Sequence, residues 1–467
     1  MSTAPPGEHP PPEGLLRGLG LLDATTLIVG SVIGSGIFVA PSIMAGYVED
    51  PALLLGLWVV GGVLTLFGAL AYGELAAALP HAGGQYVFLS RAFSPLWGFL
   101  YGWTFLLAIN TGFVAAVSVA FAKYLGVFLP GVSEEVALFT LGGFRFTTAQ
   151  AVGLVVIVAL TYLNIRGLRT GAWVQNVFTV AKVAGVAALV VLAIGSGRGS
   201  AANLAGAEGL PLGPEGVKLG LFAAMAVAMS KALFAYDAWY SITFAAEEVK
   251  DPERTLPRAL VLGTVGVTAV YCAAVAVYLY MVPITEMYAV RDNRIAAEAA
   301  SRALGPAGEA FVAVAILVST FGCVNGLTLA GPRVVYAMAR DGLFFKRMAD
   351  IHARYRTPAR ALVLHGVVAA GLTMTGTYSD LLTLTAFSSL LFNILTVVGL
   401  FVLRRREPAL RRPYRALGYP LLPALYVGVS AFFLVFILIG DPRNSGLGLV
   451  LTTAGVPAYL YWRRQAT

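Results

Sequence analysis

The chain has 467 residues, of which 58% are hydrophobic and 12% are charged, and its mean hydropathy is +0.79. This composition excludes an ordinary soluble globular domain and predicts an integral membrane protein. We attribute the formal net charge of +8 to the topology of such a protein, and it gives no ground for nucleic-acid binding.

The N-terminal stretch MSTAPPGEHPPPEG is rich in proline and nearly uncharged. A secretory signal peptide needs basic residues ahead of an apolar core, and this stretch lacks both. We therefore predict that residues 1–22 form a short disordered tail on the cytoplasmic side.

Twelve apolar stretches follow this tail, each near the roughly 20 residues that a bilayer-spanning helix needs. They predict an all-α integral membrane protein with 12 transmembrane helices. The predicted spans are residues 23–45, 52–79, 95–126, 149–164, 172–195, 217–247, 258–282, 308–339, 359–375, 380–404, 418–438 and 445–463.

Basic residues concentrate in alternate loops of this arrangement, on the same side as the N-terminus. The densest groups lie in residues 340–360 and 404–415. Because Lys and Arg are retained on the cytoplasmic side, we predict a multi-pass protein of the plasma (inner) membrane with both termini in the cytoplasm.

The first span contains residues that weaken a helix, among them Gly30, Gly34, Gly36 and Pro41. Such small residues can form a packing face against a neighbouring helix. Alternatively, the helix is broken at mid-membrane, which is tolerated only where the freed backbone lines a cavity or binds a ligand.

A second interruption favours the broken helix. Residues 229–250 form an otherwise apolar stretch around Asp237, and this break follows the first by roughly 200 residues, as in transporters built from two inverted repeats. The N-terminus of a half-helix attracts a carboxylate, and free carbonyl groups attract an ammonium. The two breaks together predict a midplane site for a zwitterion.

Three lysines lie inside predicted spans: Lys123, Lys182 and Lys231. An ammonium at mid-membrane costs about 2.5 to 3.5 kcal/mol unless it reaches the interface or finds a partner. Lys123 lies near the outer end of its span, where its side chain extends to the membrane surface. Lys182 lies well inside its span, so we predict a buried functional role for it.

An enzyme, a receptor or a purely structural membrane protein is less well supported. Cys272 and Cys323 both lie in predicted spans, and the four histidines form no metal or catalytic motif. A receptor or structural protein would not need two interruptions at matching positions. We expect no catalytic residues, no metal and no cofactor.

Five stretches resemble the amino acid–polyamine–organocation superfamily, and within it the L-type amino acid transporter branch with its bacterial serine/threonine exchangers. They are GSVIGSGIFVAPS (30–42) and residues 80–103, 164–176, 234–260 and 319–343. The resemblance implies a LeuT-like fold of five plus five helices in inverted repeat, with helices 1 and 6 broken and two peripheral helices. The repeats would comprise residues 23–195 and 217–404, followed by residues 405–467.

The resemblance also implies how a substrate binds. The amides around Ser35, Gly36 and Ile37 would hold its carboxylate. The carbonyl groups near Val32 and Phe234 would hold its amino group.

Phe234 would also close the site as a thin extracellular gate, and Ala235 and Asp237 complete the predicted substrate-binding set. Lys182 matches a fifth-helix lysine that, in sodium-independent relatives, takes the place of the sodium ion between the first and eighth helices.

Three departures from the family pattern matter. Residues 129–146, after the third span, contain no cysteine, so no covalent heavy-chain partner is implied. Ala238 stands where many relatives have glycine, which leaves open how far the sixth helix unwinds. Lys231 has no counterpart in the family pattern, and it either pairs with Asp237 or faces lipid headgroups. Asp237 itself occurs in relatives that accept cationic amino acids and in exchangers of neutral ones, so it is satisfied either by backbone amides or by Lys231, or else it contacts a cationic substrate. We predict that Lys231 pairs with Asp237 and that the pocket carries no net charge.

These inferences predict a sodium-independent secondary transporter of small neutral L-amino acids that works by exchange with alternating access. The alternatives are a proton-coupled symporter, in which Lys182 loses its proton during the cycle, and a cationic amino acid transporter that uses Asp237. The expected partners are amino acid substrates and the lipid bilayer, with no nucleic acid. The oligomeric state stays open.

Overall fold

The structure is a computed structural model, and it describes residues 14–142, 144–205, 221–290, 293–375 and 378–466. These residues are predominantly helical, with one two-stranded antiparallel hairpin. Most of the predicted N-terminal tail, residues 1–13, lies outside the described residues.

The helices of the first half begin at residues suited to that position. Asp50 accepts a hydrogen bond from the Leu53 amide at 2.6 Å, and Pro51 then opens a helix. The elements are α1 (Leu21–Val32), α2 (Gly36–Ala45), α3 (Pro51–Ala78), α4 (Gln85–Ala92), α5 (Pro95–Thr104), a π-helical turn (Phe105–Ile109), α6 (Asn110–Leu125), β1 (Ala137–Leu141), β2 (Phe144–Thr147), α7 (Thr148–Ile165), α8 (Leu168–Gly195) and a 3₁₀ turn (Ala201–Leu204).

The second half repeats the pattern of long apolar helices joined by short connections. Its elements are α9 (Leu221–Ala235), a 3₁₀ segment (Ser241–Glu248), α10 (Pro252–Met281), α11 (Ile284–Met287), α12 (Ile295–Leu304), α13 (Pro306–Ala330), α14 (Pro332–Arg340), a 3₁₀ turn (Lys346–Ala349), α15 (Ala359–Thr375), α16 (Tyr378–Arg406), α17 (Leu421–Gly440) and α18 (Pro442–Ala466).

Within the described ranges, eight helical stretches are each long and apolar enough to cross a membrane, and α1 with α2 forms a ninth, bent by 41°. The protein is therefore an all-α integral membrane protein. Helices also occupy the other three predicted spans, as α9, α15 and α18. The count of twelve spans stays a prediction.

The boundary of the predicted tail is wrong at its C-terminal end. The amides of Gly18 and Leu19 both donate to the Glu248 carbonyl at 2.9 Å, and the Lys250 amide donates to the Leu19 carbonyl at 2.8 Å. Leu19 is buried. The ordered chain therefore begins before residue 22, because the loop after the 3₁₀ segment offers backbone partners that no local sequence pattern reveals.

Helix packing places the first interruption in the middle of the bundle. Helix α1 packs against α8, α10 and α13, whereas α2 packs against α9. The backbone between α1 and α2 is thus enclosed by helices, as an interrupted helix at membrane depth requires.

Two buried carboxylates join helices at the end predicted to face the cytoplasm. Glu248 forms a bidentate ion pair with Arg333 at 2.7 and 3.0 Å, and both side chains are buried. Glu74 on α3 pairs with Arg404 and Arg412, and it also accepts from the Ala416 amide. These pairs hold the ends of distant helices together.

Candidate functional site

The first interruption exposes the amino-terminal end of α2. The Gly34 amide donates to the Val32 carbonyl at 2.8 Å, and α2 then begins at Gly36. The first amides of a helix have no partner within it and carry partial positive charge. The structure therefore places Ser35, Gly36 and Ile37 where a carboxylate can be held by backbone amides.

The second interruption follows α9. That helix ends at Ala235, and the 3₁₀ segment begins only at Ser241. Between them Ala238 adopts a left-handed backbone conformation with φ of +68°. This conformation costs an L-residue other than glycine about 1 to 2 kcal/mol, so the helix opens here at some cost.

The two interruptions contact each other. A Cβ atom at Gly36 would lie 2.9 Å from the Cβ of Ala235, so only glycine allows this approach. The hydroxyl of Tyr271, on α10, lies 3.0 Å from the Val32 carbonyl and 2.9 Å from the Ala235 carbonyl. The sequence analysis did not predict a role for Tyr271. The feature that could have indicated it is a hydroxyl-bearing side chain in the middle of a predicted span.

Lys182 reaches the first interruption from α8. Its Nζ donates to the carbonyl oxygens of Gly30 and Ile33, each at 2.8 Å, and to that of Ser319 at 2.9 Å. The side chain is 1% exposed. Because an ammonium has three donors, these three acceptors satisfy it completely. Lys182 thereby joins α8 to both α1 and α13.

Ser319, also absent from the sequence prediction, strengthens this junction. Its hydroxyl donates to the Ile33 carbonyl at 2.8 Å. Four residues along α13, the Cys323 thiol lies 3.0 Å from the Ser31 carbonyl. The carbonyl groups freed by the end of α1 therefore find donors on α8 and α13.

The glycines of the first span have two roles. A Cβ at Gly30 would overlap Gln175 and Thr179 of α8, so this glycine serves close helix packing. Gly34 and Gly36 instead lie within and just after the interruption. The two interpretations of the motif thus apply to different residues.

Phe234 lies beside the paired interruptions. Its ring stacks on that of Phe113 from α6, with centroids 5.3 Å apart and planes inclined by 22°. Ala238 and Cys323 belong to the same apolar cluster. Phe234 is therefore placed where an aromatic side chain can cover the site.

Asp237 lines a cavity bounded by α3, α16 and α17, and Phe234 at the end of α9 lines the same cavity. Its Oδ2 atom is buried and accepts no hydrogen bond from the described residues. The cavity is lined by Thr65, Ser230, Leu233, Phe234, Asp237, Trp239, Ala386, Leu390, Asn393, Tyr426, Ser430 and Ile437.

The predicted pairing of Lys231 with Asp237 is wrong. The acidic group that interacts with Lys231 is Asp441, which follows α17. Lys231 lies within α9, whereas Asp237 follows the end of that helix at Ala235. Among the described residues, no lysine therefore neutralises Asp237.

Comparisons with known proteins identify the family of the chain. The family model described as amino acid permease matches residues 19–459. The serine/threonine exchanger SteT of Bacillus subtilis (strain 168) is 30% identical over 456 residues, covering 97% of this chain and 98% of that protein.

Two human proteins are similar to the same extent. The b(0,+)-type amino acid transporter 1 is 30% identical over 95% of this chain and 87% of its own length. The Asc-type amino acid transporter 1 is 30% identical over 96% of this chain and 83% of its own length. The chain therefore belongs to the amino acid permease family of the amino acid–polyamine–organocation superfamily, whose members are transporters and not enzymes.

Proposed function

We propose that the protein is a sodium-independent exchanger of small neutral L-amino acids that works by alternating access. The observation that carries this proposal is the complete set of acceptors around Lys182. A fixed ammonium at the junction of α1, α8 and α13 already does what a bound metal cation would do there. A sodium ion is then not needed to join these helices.

The substrate carboxylate binds at the amino-terminal end of α2, on the amides around Ser35, Gly36 and Ile37. This end is the partial positive pole of the helix. The Lys182 ammonium already donates to three carbonyl oxygens, so it is not free to hold the carboxylate. The helix terminus is therefore the better carboxylate site.

The substrate ammonium binds the carbonyl groups at both interruptions. In this structure the Val32 and Ala235 carbonyls share the single hydroxyl donor of Tyr271. An ammonium has three donors and satisfies these oxygens better than one hydroxyl. We infer that Phe234 then covers the bound amino acid.

Exchange follows from the way in which the substrate joins the two interruptions. A ligand drives a conformational change only through its different affinity for the two states. An amino acid that bridges α2 and the segment after α9 stabilises the closed intermediate between the outward-open and inward-open states. The empty carrier lacks this bridge, so it reorients slowly, and each import requires an export.

The same proposal includes the arrangement in the membrane. The five helical spans within residues 23–195 and the five within residues 217–404 form inverted repeats, each starting with an interrupted helix, and the last two spans are peripheral. The protein lies in the plasma (inner) membrane with both termini in the cytoplasm, and no covalent heavy chain is required.

Uptake into proteoliposomes tests this function. Purified protein is reconstituted with or without internal serine, and uptake of a labelled panel of serine, threonine, alanine, leucine, arginine and glutamate is followed. We expect fast uptake of the small neutral amino acids only when internal amino acid is present. Equal uptake into empty vesicles driven by an inward proton gradient would support the proton symporter instead.

A further inference from the structure

Asp237 is a buried acid without a positive partner. One of its carboxylate oxygens accepts no hydrogen bond, and no described lysine, arginine or histidine forms an ion pair with it. Lys231, the nearest lysine along the chain, interacts with Asp441. An ionised carboxylate in such a place carries a large desolvation cost.

In the part of the chain that the structure describes, the ionisable groups that face Asp237 are phenols. They are Tyr72 on α3, Tyr101 on α5, Tyr240 in its own segment and Tyr426 on α17. From α16, Asp237 is approached by the uncharged side chains of Ser389 and Asn393. None of these groups supplies positive charge at neutral pH.

The cavity brings other polar groups close to Asp237. From Asp237 it extends along α9 to Ser230, and Thr65 and Ser430 also line it with hydroxyl groups. A cavity that several polar groups line can admit a water molecule. The carboxylate can therefore take a proton from a hydronium ion in the cavity, leaving a water molecule, and can return the proton to water by the reverse step.

Several polar side chains surround Asp237 and can stabilise its ionised carboxylate. The hydroxyls of Tyr240 and Ser389 lie 2.7 Å apart, and Tyr72 and Gln85 donate to the Asn393 side chain at 2.8 and 3.0 Å. These contacts hold the neighbours of Asp237 in place. The Asp237 carboxylate thus has polar neighbours, but no described positive charge neutralises it permanently.

We propose that Asp237 binds and releases a proton during the transport cycle and so makes transport depend on pH. This proposal rests on the proposed function. When Asp237 is protonated, the pocket carries no net charge and favours neutral amino acids. The predicted pairing with Lys231 would have had the same effect. Ionised Asp237 attracts a substrate with a cationic side chain.

Infrared spectroscopy of the purified protein tests proton binding without transport. We expect a carboxylic-acid carbonyl band that disappears as the pH rises from about 5 to about 9, is missing in Asp237→Asn and persists in Asp237→Glu. The control variant Glu309→Gln removes an exposed acid of α13 and should keep the band. Identical pH-dependent spectra for wild type and Asp237→Asn would overturn the proposal.

Transport provides the second measurement. Exchange of labelled serine by the wild type should change at least about threefold over the same pH range, and competition by arginine should grow as the pH rises. In Asp237→Asn the ratio of rates at the two pH values should approach one, whatever the absolute rate. Active wild-type exchange with a flat pH profile refutes the inference and leaves the proposed function intact. Absence of exchange refutes the proposed function, while the infrared band still decides whether Asp237 titrates.

Discussion

At the scale of single residues, Lys182 is a buried ammonium, and burial of a charge is costly because the charge loses its hydration. Its three hydrogen bonds offset that cost. Its three acceptors are backbone carbonyls of α1, the interruption and α13. Carbonyls in this region would otherwise lack donors because the helix ends. The lysine therefore needs these carbonyl oxygens as acceptors, and the carbonyl oxygens at the interruption need the lysine as a donor.

Replacing Lys182 by alanine should reduce transport at least about tenfold while substrate binding survives better, because the ammonium joins the helices and does not touch the ligand. The measurements are serine exchange and the affinity of the purified protein for serine. Lys123→Ala is the matched control, since that lysine is partly exposed and pairs with Glu134. Equal loss of binding and transport would argue for a direct ligand role or for misfolding.

Gly36→Val should abolish serine binding. The new side chain would meet Ala235, whose Cβ lies 2.9 Å from the position of the added Cβ, and would push the two interruptions apart. Binding is measured by titration of the purified protein. Gly56→Val on α3 is the control, because no atom lies within 4 Å of its added Cβ. Normal affinity in a folded Gly36→Val protein would show that the carboxylate binds elsewhere.

At the scale of elements, the interruptions are held by side chains from neighbouring helices as well as by their own backbone. Tyr271 on α10 connects the end of α1 to the end of α9, and the ion pair of Glu248 with Arg333 connects the 3₁₀ segment to α14. Each half of an interrupted helix is therefore fixed to a different part of the bundle. This arrangement allows the halves to move separately.

Tyr271→Phe should change the KM for serine by up to about tenfold, because one buried hydrogen bond contributes about 0.5 to 1.5 kcal/mol. The direction reports the role of the hydroxyl: KM falls if the hydroxyl competes with the ammonium and rises if it orients the carbonyls. Tyr278→Phe on the same helix is the control, since the Tyr278 hydroxyl has no hydrogen-bond partner among the described residues. Equal effects of the two variants contradict the assignment.

Glu248→Ala should destabilise the protein by about 3 to 5 kcal/mol, because it leaves the Arg333 guanidinium buried without its partner. Thermal unfolding in detergent measures the change. Glu407→Ala removes a more exposed pair with Arg91 and should cost at most about 1 kcal/mol. A similar small effect for both variants would show that water reaches Arg333.

At the scale of the whole molecule, the bundle encloses a polar centre within an apolar exterior. Large apolar side chains such as Val155, Trp173 and Ile439 are exposed on the outer helix surfaces, where lipid replaces water. Lys182, Ser319 and Asn325 are buried inside. Transport by such a molecule depends on moving helices around a fixed polar site.

Replacing external sodium by potassium or choline should leave the initial rate of serine exchange nearly unchanged, because the Lys182 ammonium occupies the junction that a cation would hold. Rates are measured in proteoliposomes at constant ionic strength. A severalfold loss without sodium would refute the assignment of Lys182.

The sequence by itself determined the features that depend on local composition. Apolar stretches marked the helices, glycines marked the first interruption, and a lysine deep in a span marked a residue that needs partners. Helices were found at all twelve predicted positions because hydrophobicity along the chain decides which segments leave water. The resemblance to one family was confirmed by matches over nearly the whole length.

Only the tertiary structure decided which groups meet. Gly30, Ile33 and Ser319 surround Lys182, and Tyr271 reaches both interruptions, although these residues are far apart in the chain. Lys231 interacts with Asp441, and no described residue forms an ion pair with Asp237. The physical reason is that helix rotation and the angle at a broken helix set these contacts, and both depend on packing against neighbours that a linear pattern does not specify.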